Sequence, residues 1–273
     1  VQTKAIKKAI TNNITIITGG PGTGKTTIIK AIVSLFQEVF QAKNSEIALL
    51  APTGRAAKRM AETTKLYACT IHRYLGYDKD KNKFCVDEYS PNNEKYIIVD
   101  EVSMIDTILF SSLLKGIKRN VKLVLVGDYF QLPSVSQGQV LKDLMDTELI
   151  DVVKLNCLYR QNENSYIPIL ANEIKDKDID DDFVIKRDDY NFIMCDNDKV
   201  IPTILYITNN ALKKGYTDKD IQILAPMYKS INGIDRLNQH LQKLFNPPLD
   251  TKKSLIIGEV TYRIGDKVLQ LVN

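Results

Sequence analysis

The sequence predicts an α/β fold: a doubly wound parallel sheet, followed by a second α/β pattern. Three observations predict it. Short β-branched runs recur at Ile14–Thr18, Ile47–Ala51, Tyr96–Val99, Lys122–Val126 and Val152–Leu155, with Ala, Lys, Glu and Leu at helical spacing between them. The first run leads directly into a glycine-rich stretch, GGPGTGKTT, at Gly19–Thr27. The third and fourth runs lead into carboxylates, Asp100-Glu101 and Asp128, where open α/β sheets bind ligands.

The glycine-rich stretch fits G-x-x-x-x-G-K-[ST], with Gly19, Gly24, Lys25 and Thr26 at the fixed positions. Glycines admit backbone angles that let successive N–H groups converge on phosphate oxygens. The segment Gly20, Pro21, Gly22, Thr23, Gly24, Lys25, Thr26 and Thr27 is therefore expected to cradle a nucleotide. Lys25 would reach the β/γ-phosphates and the Thr26 hydroxyl would ligate Mg²⁺. Thr27–Val33 reads as an opening helix, whose N-terminus adds partial positive charge under the phosphates.

Further along, Ala56, Ala57 and Met60 are spaced to face a core. Charged turn residues Asp78–Lys83 between β-formers predict a hairpin inserted at about 76–94. At the end of Tyr96–Val99, Asp100 is placed to hold Mg²⁺ and Glu101 to orient or deprotonate an attacking water. That base favours a nucleoside triphosphatase over a small-molecule kinase. After Lys122–Val126, the neutral amide of Gln131 could hydrogen-bond a γ-phosphate or the water. The acidic stretch Asp176–Asp182 reads as a solvated loop, followed by a strand at Ile221–Ala225 and an amphipathic helix at Gly233–Leu244.

A chain of 273 residues suits one large domain or two ordinary ones, and 44% hydrophobic residues support a core. There is no membrane-spanning run and no signal-peptide pattern, and Val1 at the start points to a sequence beginning within a longer protein. Cys69, Cys85, Cys157 and Cys195 are scattered, as expected of reduced thiols in the cytoplasm rather than of a zinc site or disulfides. Only His72 and His240 are present, which argues against histidine-centred catalysis. A net charge of +4 permits nucleic-acid binding without arguing for it.

The segments GGPGTGKTT, LLAPTGRAAKRM, CTIHRYLGY, IIVDEVSM, VGDYFQLPSV, LYRQ and ILAPMYKSINGIDRLNQHLQ occur in an order that resembles the RecD-like DNA helicases of superfamily 1, the stand-alone bacterial type above all. The resemblance implies two RecA-like lobes, here 1–155 and a partial second lobe at 156–273, using ATP and Mg²⁺. It implies 5′→3′ movement on single-stranded DNA, separation of duplex at single-strand/duplex junctions, and a place in DNA repair or recombination. Gln2 resembles the family's adenine-reading glutamine and Arg160 its γ-phosphate arginine, a cation suited to charge spreading over a transferring phosphoryl. Pro52, Thr53, Gly54 and Arg55, with Thr70 and His72, fall in motifs that hold single-stranded DNA. The hairpin at 76–94 matches either the family's strand-separating pin or an ordinary solvated hairpin.

Tyr129-Phe130 departs from the family, which has an acidic residue before the glutamine. The family's later motifs lie beyond Asn273, so the sequence reads as the core of a longer helicase. A P-loop ATPase serving as a nucleotide switch, and a Pif-like superfamily 1 helicase, remain the alternatives.

Overall fold

All five apolar runs form strands of one sheet, and the register explains their composition. The structure is a computed structural model that describes residues 1–155, 165–249 and 252–268. Arg160 and Cys157 lie outside the described residues. The chain divides into two compact units, Val1–Asp180 and Asp181–Asn273. The boundary read from the strand pattern follows the last parallel strand at residue 155; the compact units divide after Asp180.

The first unit begins with helix α1 (Gln2–Thr11), strand β1 (Ile14–Gly19) and helix α2 (Lys25–Val39). Strand β2 (Ile47–Ala51), helix α3 (Gly54–Thr64), strand β3 (Ala68–Thr70) and the single turn α4 (Ile71–Tyr74) follow. Two short strands, β4 (Tyr77–Asp78) and β5 (Lys83–Phe84), pair antiparallel as a hairpin. Strand β6 (Tyr96–Val99), helix α5 (Thr107–Lys115), strand β7 (Lys122–Gly127), helix α6 (Val140–Asp146), strand β8 (Asp151–Leu155) and helix α7 (Tyr166–Asp176) complete the unit.

The sheet order is β3-β2-β6-β7-β1-β8, and every pairing within it is parallel. Parallel strands covered on both faces must be apolar on both faces, and successive residues of β1 obey this. Ile17 belongs to the layer under α1, α2 and α3, with Ile28, Ile32, Phe36, Ala57 and Met60. Ile16 belongs to the opposite layer under α5 and α6, with Leu109, Leu113 and Leu141. Ala57 and Met60 are buried and Ala56 packs against the same layer, as the spacing predicts. Strand β3, which the strand pattern missed, spans only three residues at the sheet's edge and owes its existence to pairing with β2.

The second unit holds helix α8 (Val200–Lys213), helix α9 (Ile234–Phe245) and an antiparallel hairpin of β9 (Ser254–Ile257) and β10 (Val260–Arg263). The α9 side chains clasp the hairpin: Gln242 Nε2 donates to Thr261 O at 2.7 Å and to Asp266 at 2.6 Å. Asn246 Nδ2 donates to the other Asp266 oxygen at 2.6 Å. The amphipathic helix expected at Gly233–Leu244 is α9. The strand expected at Ile221–Ala225 is not formed. That segment has no strand partner among the described residues, and Leu224 is 87% exposed. An apolar β-branched run becomes a strand only where a neighbour completes its backbone hydrogen bonds.

Candidate active site

Parallel pairing sends the ends of β1, β2, β3, β6 and β7 to one edge of the sheet, so the segments that follow these five strands lie along it. At the end of β1 the loop turns into α2 through Gly24, with φ of 88°. A Cβ at Gly24 would stand 2.6 Å from Gln2 Nε2; the left-handed backbone is what disfavours a side chain here, while the Gln2 amide could swing aside. Gln2, at the head of α1, reaches the same loop and donates to Thr23 O at 3.4 Å. Thr23 is buried and donates to Gly20 O at 2.8 Å, pinning the loop from within.

The Lys25 ammonium donates to the carbonyls of Gly19 at 2.5 Å and Gly20 at 2.9 Å. It therefore lies over the loop rather than out in solvent. Thr26, half-buried, sits one residue along the first turn of α2, and Thr27 beyond it is exposed. Gly22 carries φ of 79°, and Pro21 lies at the exposed tip.

At the end of β6, Asp100 is anchored by its own N–H, which donates to Leu50 O of β2 at 2.9 Å. Burial pushes the Asp100 carboxyl up to about 6, and the neighbouring Glu101 charge pushes in the same direction. The Glu101 N–H, which donates to Asp100 Oδ1 at 2.9 Å, opposes the rise, as do the charges of Lys25 and Arg59. Lys25 and Asp100 thus feel one another across the loop. Glu101 has φ of 54°, left-handed backbone that a non-glycine residue rarely adopts. Its Oε2 atom is buried and takes no hydrogen bond among the described residues. A buried carboxylate oxygen without a donor costs energy, and it fits a group that a water or a hydrated cation would satisfy.

At the end of β7, buried Asp128 shapes the turn by accepting from Phe130 N–H at 3.1 Å, and Tyr129 N–H donates to Thr18 Oγ1 of β1 at 3.3 Å. These bonds fasten the Gln131 loop beside the phosphate loop; Gln131 itself is exposed. The side chains of Tyr129 and Phe130 lie under cations, Lys154 at 5.6 Å and Lys175 at 4.6 Å respectively.

At the ends of β2 and β3, Thr53 and Thr70 start helices. Thr53 Oγ1 accepts from Ala56 N–H at 3.3 Å and Thr70 Oγ1 accepts from Arg73 N–H at 3.2 Å. A capping hydroxyl that accepts from backbone keeps its own proton free to donate outward. Gly54 and Arg55 are exposed, and Pro52 is half-buried. His72 is exposed but not isolated: its ring stands edge-on to Tyr77 at 5.4 Å and near Phe84 at 5.7 Å, tying α4 to the hairpin. Sequence reasoning missed Arg59, which acts on Asp100 from α3, and Thr18. Neither carries a signal beyond its place in a helix or strand.

The family model of an AAA domain matches residues 2–137. The ATP-dependent RecD2 DNA helicase of Deinococcus radiodurans is 34% identical over 272 residues, covering 100% of this chain and 36% of that protein. The RecBCD enzyme subunit RecD of Mycobacterium tuberculosis is 37% identical over 164 residues, covering 53% of this chain and 28% of that one. The chain thus spans about a third of the length of these relatives. Among solved structures, the Pif1 helicase from Candida albicans covers 80% of this chain and 55% of its own, with a TM-score of 0.52 at 19% identity, a likeness of fold.

Proposed function

We propose that this chain is a RecD-like helicase of superfamily 1 and part of an ATP-driven motor that moves on single-stranded DNA and parts duplex at junctions. The observation that carries the proposal is the single sheet edge where phosphate loop, carboxylate pair and capping threonines meet. A nucleotide switch needs the first two; a motor also needs a track beside them. The resemblance also implies five prime to three prime movement and a second motor lobe within 156–273.

Residue roles follow from chemistry. The loop amides from Gly20 to Thr27 hold the phosphates, with Gln2 toward the base. Lys25 exchanges its two loop carbonyls for β/γ-phosphate oxygens. Thr26 and Asp100 are the residues that would hold Mg²⁺, which supplies charge to offset the phosphates. Glu101 accepts a proton from the attacking water through its unsatisfied carboxylate, and Gln131 orients that water or the γ-phosphate. Arg160 supplies a cation to the transferring phosphoryl. Arg55 and the Thr53 and Thr70 hydroxyls hold DNA phosphates, which position a strand without reading its sequence.

ATP hydrolysis measured with and without an oligo(dT) strand tests the proposal. Stimulation by the strand is expected. Hydrolysis indifferent to DNA would favour the switch.

Asp100 adds a pH dependence. A folded value raised from 3.8 to about 6 means that its protonation stabilises the fold. That contribution is complete below 3.8 and is lost as pH rises through about 6. Asp100→Asn stays neutral throughout. It is expected to raise stability at pH about 8, on the order of 1–3 kcal/mol, and to change nothing at pH about 3. Conversely, Mg²⁺-dependent nucleotide binding should weaken as the pH falls through about 6, because a protonated carboxyl does not ligate. Thermal melts across pH check the first expectation, and titrations with a fluorescent nucleotide check the second.

A further inference from the structure

A groove of about 570 Å³ lies at the opposite edge of the first unit's sheet, away from the phosphate loop. The return segment of the hairpin insertion forms one wall with Glu88, Tyr89 and Pro91; the C-terminal end of α5, with Lys115, and the loop after it, with Lys118 and Arg119, form the other. The walls are joined by Asn92 N–H donating to Gly116 O at 2.9 Å. Resting on the motor reading above, we propose that this groove is a second nucleic-acid site, taking a single strand with its phosphates on the three cations and a base on Tyr89.

The electrostatics favour an anion. Nearby carboxylates are engaged by other groups: Glu94 accepts from Tyr74 OH at 2.9 Å, and Glu46 pairs with Lys95 at 2.6 Å. Asp87 accepts from the backbone N–H groups of Tyr89 at 3.0 Å and Ser90 at 3.1 Å. Glu88 is then the only carboxylate on the walls against three exposed cations, none of which has an ion-pair partner among the described residues. The Asp87 turn also holds Tyr89 outward, 89% exposed, instead of letting it fold onto the apolar Val86. Spaced cations beside a presented aromatic are what sequence-independent single-strand binding uses. The insertion that carries one wall also carries the hairpin, so a strand parted there would meet this groove next.

The test is oligo(dT) binding by the whole chain across a salt series, for the unaltered protein, Lys118→Ala/Arg119→Ala, Tyr89→Ala and Arg55→Ala. Losing two phosphate contacts should make the slope of log affinity against log salt shallower by about 1.4. Tyr89→Ala should weaken binding about tenfold. Lys118→Arg/Arg119→Lys should restore the slope, which a merely structural loss at the helix end would not require. An iododeoxyuridine strand should crosslink to Tyr89. Absence of any binding by the unaltered chain would overturn both this site and the motor reading. Binding weakened by Arg55→Ala yet untouched by the groove variants would overturn the groove alone; so would groove variants that lose binding of a polyglutamate peptide, titrated in parallel, while oligo(dT) binding is unchanged.

Discussion

Glu101→Gln is expected to bind Mg²⁺–ATP as tightly as the unaltered chain and to hydrolyse it about 10²–10⁴-fold more slowly. The amide keeps the size and position of the side chain but cannot accept a proton from water. Lys25→Ala differs in kind. It removes the cation that lies over the loop within 2.5–2.9 Å of two carbonyls, so binding and turnover should both fail. Glu101→Gly separates catalysis from folding. With φ of 54° at this position, glycine relieves strained backbone while deleting the base, so hydrolysis should vanish without a lower melting temperature. Binding by equilibrium titration and single-turnover hydrolysis decide the matter. Unchanged hydrolysis by Glu101→Gln would remove Glu101 from the mechanism.

Phe36→Ala should lower stability by about 3–5 kcal/mol, the usual cost of deleting a fully buried aromatic. Phe36 has no exposed surface and sits in a ring cluster, 4.6 Å from Tyr96 and 6.1 Å from Phe40. At about 2–4 °C per kcal/mol for a domain of this size, the melting temperature should fall by roughly 6–20 °C. Because α2 carries Lys25 and Thr26 at its head, a loosened helix should also recover stability when nucleotide binds. Val39→Ala, on the same helix but 59% exposed, is the control and should change stability by less than about 0.5 kcal/mol. Calorimetry with and without ATP reads both effects, and equal melting of the two variants would contradict the packing.

How much of this was legible beforehand depends on how local the signal is. The strands from Ile14 to Leu155 were readable because a strand buried on both faces must be continuously apolar, a constraint visible residue by residue. The phosphate loop was readable because its amides act through their own backbone, which requires glycines at set positions. The segment Ile221–Ala225 has the same composition and forms no strand, since composition supplies the side chains of a strand but not its partner.

From sequence alone, then, came five of the sheet's six strands, the nucleotide loop and the carboxylate pair, all features encoded in a few consecutive residues. Tertiary structure decided the rest. It set Gln2 against the phosphate loop, raised Asp100 by burying it beside Glu101, and left Glu101 with an unsatisfied oxygen. It also gave Glu94, Glu46 and Asp87 hydrogen-bond partners of their own and set three cations along the groove at the far edge. Burial, field and hydrogen-bond satisfaction depend on residues tens of positions apart, and only the folded chain brings them within reach of one another.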